Sequence, residues 1–193
     1  PGVVAAQPMQ HRFAYVGKDL QDMFGIDPAH ITSATDIVDG YFSRVSAQEA
    51  LARLAQQPNG VLVSQETVND FQLAIGDMLN LRLRDSRGAE KTIPFRFVGV
   101  VKEFPTAPRD SFLVANASYI SAQTEDARSE TVLVRVSGPA RRIADDIRHA
   151  LGAASPLKTT DITQTTHVIG SSLTAVDVAS LGAVELGFAI LFV

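Results

Sequence analysis

The stretch Gly60-Val-Leu-Val-Ser-Gln-Glu-Thr-Val-Asn-Asp-Phe-Gln-Leu-Ala-Ile-Gly-Asp-Met-Leu-Asn-Leu-Arg-Leu-Arg84 changes its apolar period as it runs, and those changes place the elements. Gly60 to Ser64 carries a continuous apolar run, the pattern of a short strand buried on both faces. Ser64 stands three residues before Thr67, the spacing at which a hydroxyl caps a helix start, and a short helix is predicted over Glu66–Phe71. From Met78 to Arg84, leucines at 79, 81 and 83 alternate with Asn80, Arg82 and Arg84. That period of two predicts a half-buried strand.

Asp85-Ser-Arg-Gly88 supplies turn chemistry, and Ile93, Phe95 and Phe97 resume the alternation. Residues 78 to 101 are therefore expected to form an antiparallel hairpin, with Pro94 placing the start of its second strand at an edge. Toward the N-terminus, His11–Val16 suits a short strand, followed by a loop that includes Gly25-Ile-Asp-Pro28. Ser46 predicts the N-cap of a helix through Gln56, because Glu49 sits in capping-box position and Ala50, Leu51 and Leu54 form one stripe. Pro58-Asn-Gly60 ends it. Further strands are expected at Phe112–Ala115, Thr131–Val136 and Thr159–Ile162, and a helix at residues 139 to 151, with Pro139 near its start and Ile143, Ile147 and Leu151 on one face. The fold class is α+β: a mixed or antiparallel sheet with packed helices, ending in a long stalk helix that enters a membrane.

The stalk rests on the C-terminal sequence. Leu181-Gly-Ala-Val-Glu-Leu-Gly-Phe-Ala-Ile-Leu-Phe-Val193 is almost purely apolar and has no charge after Glu185. It is shorter than the roughly 20 apolar residues that a bilayer core requires of a helix. Residues 171 to 180 lead into it with Leu173 and Val176 at helical spacing. Two readings follow: the first part of a transmembrane helix, or a buried helix of a soluble core. The expected organisation is a folded domain over residues 1–170, with stalk and membrane entry over 171–193; the resemblance given below implies that the domain is extracytoplasmic. Pro1 is read as a cut, since no signal peptide precedes the domain. Asp177 and Glu185 are separated by roughly 80° around the helix. Both are candidates for a stalk or membrane-entry contact, because an acidic group near lipid is costly unless it is paired or reaches water.

Composition removes several function classes. The 193 residues are 46% hydrophobic and 20% charged, an ordinary globular balance. A formal charge of −4 repels polyphosphate, so nucleic acid is not an expected partner. The absence of cysteine excludes disulfides and thiolate metal sites within the chain. His11, His30, His149 and His167 lack close metal-ligand spacing. Ser64 lacks the flanking glycines of a nucleophile elbow, and neither a phosphate-binding loop nor a dinucleotide fingerprint occurs. No catalytic residue, cofactor or metal site is expected, and the chain is not read as an enzyme. In Lys102-Glu-Phe-Pro-Thr-Ala-Pro-Arg-Asp110 two prolines stiffen a loop in which Phe104 either meets a partner or folds into the core. Phe104, Pro105 and Arg109 are its candidate partner contacts.

The run Gly60–Arg84, followed by Phe95-Arg-Phe-Val-Gly-Val-Val101 and Phe104-Pro105, resembles the extracytoplasmic domain of FtsX-like, or MacB-like, ABC transporter permeases. The shared order is a "GVLVS" strand, a short helix, a "GD-x-L-x-L" turn and strand, then a "VGVV" strand with a proline close behind. It covers residues 60 to about 115; the first 59 residues fit more loosely. Gly60, Gly76, Asp77 and Gly99 match as turn and packing positions. The resemblance implies a plasma-membrane permease subunit that works as a dimer with a separate cytoplasmic ATP-binding subunit. It further implies that the stalk carries motion by mechanotransmission to a lipid, lipoprotein or other extracytoplasmic partner. Two rival classes are a membrane-anchored adhesion or sensor domain without a transporter, and a soluble enzyme.

Overall fold

The computed structural model describes residues 2–108 and 110–151, which fall into two units. The larger unit is Val3–Arg135. Its elements, with β7 running one residue beyond it, are β1 (Val3–Val16), β2 (Asp19–Ile26), single 3-10 turns at Ile31–Ser33 and Asp39–Tyr41, α1 (Ala47–Gln56), β3 (Gly60–Ser64), α2 (Gln65–Phe71), β4 (Met78–Arg84), β5 (Glu90–Val101), β6 (Phe112–Asn116), α3 (Ala117–Thr124) and β7 (Thr131–Val136). The described part of the other unit holds Gly2 and residues 136–151. Here α4 (Ala140–Leu151) begins directly after Pro139, whose carbonyl accepts from Ile143 N at 3.2 Å. This helix matches the sequence expectation, with proline supplying a preset φ where no helical N–H is needed.

The strands form a mixed seven-stranded sheet in the order β2-β6-β3-β5-β4-β1-β7, and β1 also pairs with β2. That last pairing closes six of the strands into a ring. The β2–β6 and β3–β5 ladders are parallel, while β1–β2, β3–β6, β4–β5 and β1–β4 are antiparallel. Closure removes the open edges of those six strands, which would otherwise template unwanted pairing, and leaves β7 as the sheet's edge.

Alternation along the strands sorts the apolar residues into two layers. Ala14, Met23, Val61, Val63, Leu81, Phe95 and Leu113 belong to the cluster inside the ring, to which all six strands contribute. Their neighbours Phe24, Ile26, Leu62, Phe112 and Val114 face outward into a second cluster with Ala50, Leu51 and Leu54 of α1. This is why β3 and β6 are buried at every position and read as continuous apolar runs. A register shift opposite Val61 and Leu62 pairs them with Phe97 and Gly99, leaving Val98 as the extra residue. Gly99 leaves room there: a Cβ at this position would lie 3.0 Å from Leu62 Cδ2.

Two helices, α1 and α2, are fixed as their sequence caps predict. Ser46 Oγ accepts from Glu49 N at 3.1 Å, and Ser64 Oγ accepts from Thr67 N at 3.3 Å. Ser64 also donates to Thr67 Oγ1 at 2.8 Å, which donates to Gln21 Oε1 at 2.9 Å, so three buried polar side chains satisfy one another. Pro94 lies within β5 opposite Asn80, not at the strand's first residue. Its carbonyl accepts from Tyr119 Oη at 2.9 Å, and β3 joins β5 only from Arg96 onward. The missing N–H therefore falls on a locally unpaired edge.

Three elements depart from the sequence reading. β1 begins at Val3, well before His11. The expected loop after Val16 is instead β2 up to Ile26, joined through a two-residue turn in which Gly17 takes φ 61°. A left-handed first turn residue is what a II′ hairpin requires, and glycine supplies it. α3 was not expected at all; its Ile120 and Tyr119 pack on the inner cluster. Thr159–Ile162, His167 and the segment 171–193 lie outside the described residues.

Candidate functional site

The Phe104 loop takes the second of its two readings. Phe104 is 6% exposed and joins the outer cluster, its ring centroid 6.1 Å from that of Phe24. Lys102 N donates to Tyr41 O at 2.7 Å, and Ala107 N donates to Phe104 O at 3.0 Å, so the loop is tied down on both sides of the ring. Pro105 is half-buried beside it. Arg109, Asp177 and Glu185 lie outside the described residues.

A different place gathers more chemistry. β1 and β4 pair over two positions only, Ala14↔Leu83 and Tyr15↔Arg82, and then part. A cleft of about 590 Å³ opens there, closed by the β4–β5 turn and by the segment following α3. Its apolar wall is the outward face of β1 and β2: Phe13 and Leu20 are 57% and 55% exposed, and Tyr15 stands opposite Leu20 in register. On the β4 side the Arg82 guanidinium lies 4.6 Å from the centroid of the Tyr15 ring. Glu90 at 3.3 Å and the Gly17 carbonyl at 3.0 Å hold Arg82 in that position. Arg84, next on the same face, is exposed.

The back of the cleft is an ion network that fastens the segment after α3 to β1. Arg12 pairs with Glu130 and lies 3.3 Å from Asp126, while its Nη2 donates to Arg128 O at 2.7 Å. Arg128 grips Asp126 through two side-chain bonds, at 2.9 and 2.7 Å, and its backbone N donates to the same carboxylate at 3.0 Å. These bonds, led by the Arg128 side chain and assisted by the Arg12 charge, hold Asp126 far below the usual carboxylate range. For Glu130, burial pushes upward, but bonds from His11 N and Arg12 outweigh it and the net direction is down. His11 itself stacks on Phe24 at 5.0 Å and lies 2.5 Å from Asp22. Among the described residues no three His, Asp or Glu side chains converge to hold a metal.

This network was not legible in the sequence. Arg12, Asp126 and Arg128 are far apart in the chain and carry no fixed-spacing motif. One signal was present: Arg12 occupies the inward phase of β1, two residues before Ala14, where an unpaired charge would be costly.

The fold is thus a closed mixed barrel with helices packed on it, presenting an amphipathic surface cleft. No family model matches the chain, and no curated protein sequence matches it. Among solved structures it is similar to the extracellular domain of the noncanonic ABC-type transporter YknZ from Gram-positive bacteria, with a TM-score of 0.45 and 12% identity over 76% of this chain and 77% of that one. It is also similar to a domain of a "putative Permease protein" from Porphyromonas gingivalis, with a TM-score of 0.40 and 12% identity over 76% of this chain and 62% of that one. At this level of likeness neither neighbour assigns an activity. Among the described residues no helix is long and apolar enough to cross a membrane.

Proposed function

We propose that residues 1–170 form the extracytoplasmic domain of an ABC transporter permease of the FtsX-like or MacB-like type, and that residues 171–193 are its stalk and the start of a membrane helix. The observation that carries this reading is how the motif order falls on the fold. The "GVLVS" run is β3, Ser64 caps α2, the Gly76-Asp77 turn opens β4, and "VGVV" closes β5 beside β3. Each motif glycine has a structural use: a Cβ at Gly60 would lie 2.9 Å from Gln57 O, Gly76 takes φ 102°, and Gly99 sits against Leu62 at the bulge. In this reading the motifs specify the folded centre of the domain.

In this reading a cytoplasmic subunit hydrolyses ATP and the permease works as a dimer. Motion below the membrane reaches the barrel through a helix, which transmits a rigid-body shift where a flexible linker would not. A cargo or partner at the cell envelope receives it.

The side of the membrane is directly testable, because the chain contains no cysteine. Lys18→Cys in the exposed β1–β2 turn gives the full-length membrane protein one reporter thiol in this domain. Labelling by a membrane-impermeant maleimide in cells with an intact inner membrane is expected. Protection until the membrane is broken would place the domain in the cytoplasm and end the proposal.

A further inference from the structure

We propose that the cleft between β1 and β4 is a binding site for a small amphiphilic anion, a molecule with an apolar chain or ring and one carboxylate or phosphate group. This goes beyond the transporter reading and stands without it. Single exposed apolar side chains are ordinary, but Phe13 and Leu20, each more than half exposed, line one cleft together with the Tyr15 ring. At about 590 Å³ the cleft lies within the roughly 300–1,000 Å³ range of small-molecule sites.

Charge selects the sign of the ligand. Four arginines and three carboxylates line this cleft; Glu130 behind it also pairs with Arg12, and Asp85 accepts from the Arg87 and Ala89 backbone N–H groups, so the sign rests on the cation left uncommitted. Three of those arginines are committed: Arg12 and Arg128 to Asp126, and Arg82 to Glu90. Arg84 has no ion-pair partner among the described residues and stands one alternation along β4 from Arg82, on the face that bears Tyr15 and Phe13. A planar guanidinium presents two parallel N–H groups to a carboxylate or phosphate, so Arg84 would take the head group. Arg82, already held against Tyr15, would contribute a second positive charge beside it. The apolar portion would lie along Phe13, Tyr15 and Leu20 and remove their exposed surface from water.

Dodecyl phosphate, kept below its micelle concentration, is a suitable probe. Dodecyltrimethylammonium tests the sign of the charge, and inorganic phosphate tests the need for the tail. Titrations of the 193-residue chain followed by amide chemical shifts are expected to show saturable dodecyl phosphate binding, with the largest shifts at Phe13, Leu20 and Arg84. Affinity for dodecyltrimethylammonium should be at least about tenfold weaker, a difference of roughly 1.4 kcal/mol. Arg84→Glu and Leu20→Ser should each weaken dodecyl phosphate by a similar factor while thermal unfolding stays unchanged, since both side chains are exposed. Association with the apolar run 181–193 would be the same in all variants, so it is subtracted by the comparison. Equal binding of the cationic and anionic surfactants, equal binding of inorganic phosphate, or wild-type affinity in both variants would overturn the proposal.

Discussion

Phe104 and Phe24 face each other with ring centroids 6.1 Å apart and an interplanar angle of 37°, which turns a proline-stiffened loop into part of the core. Phe24 also meets Phe112 edge-on at 6.4 Å, so one ring of β2 joins the loop to β6. Phe104→Ala is therefore expected to lower unfolding stability by about 3 kcal/mol in urea denaturation. Lys102→Ala and Glu103→Ala, at exposed neighbouring positions, should change it by less than about 0.5 kcal/mol.

Asp126 makes stability depend on pH in a direction that can be stated. Its folded-state value lies well below the ordinary 3.8, so the carboxylate's contribution is fully present above that value and is lost as pH falls through it toward the folded one. Asp126→Asn should cost roughly 2 kcal/mol near neutral pH, the scale of hydrogen bonds to a charged group. Denaturation curves collected from about pH 6 down to about pH 2 should show the gap between variant and parent closing. A gap that stays constant across that window would show that the network is not anchored on this ionisation.

Gly25 on β2 leaves no room for a side chain. A Cβ there would lie 2.6 Å from Gln10 Oε1 and 3.0 Å from Ile120 Cδ1, both buried groups. Gly25→Ala should cost about 1–3 kcal/mol by overpacking. Gly40→Ala is the control, since a Cβ at that position would meet nothing within 4 Å and its φ is not positive. Thermal unfolding of both variants checks the contrast.

Elements whose local pattern agrees with their environment were legible. β4 alternates because one face meets the ring interior, and α1 and α2 begin at serines that cap them. β2 was missed for a physical reason. Asp19, Asp22 and Gly25 all disfavour strands, and the segment is held by pairing with β1 on one side and β6 on the other. Gly17 carried a usable hairpin signal, but the Gly-Lys turn is a weak one. The cleft was illegible because its walls, Phe13 to Leu20, Arg82 to Arg84 and Asp126 to Arg128, meet only after the ring closes. Phe104 remained ambiguous in sequence since its burial depends on Phe24, some eighty positions away.

The proposed service of this chain to an ABC transporter from outside the membrane is open to affinity purification of the full-length protein from native membranes in mild detergent. An ATP-binding subunit should co-purify, and the isolated complex should hydrolyse ATP. Recovery of the intact membrane protein with no nucleotide-binding subunit and no ATPase activity would contradict it.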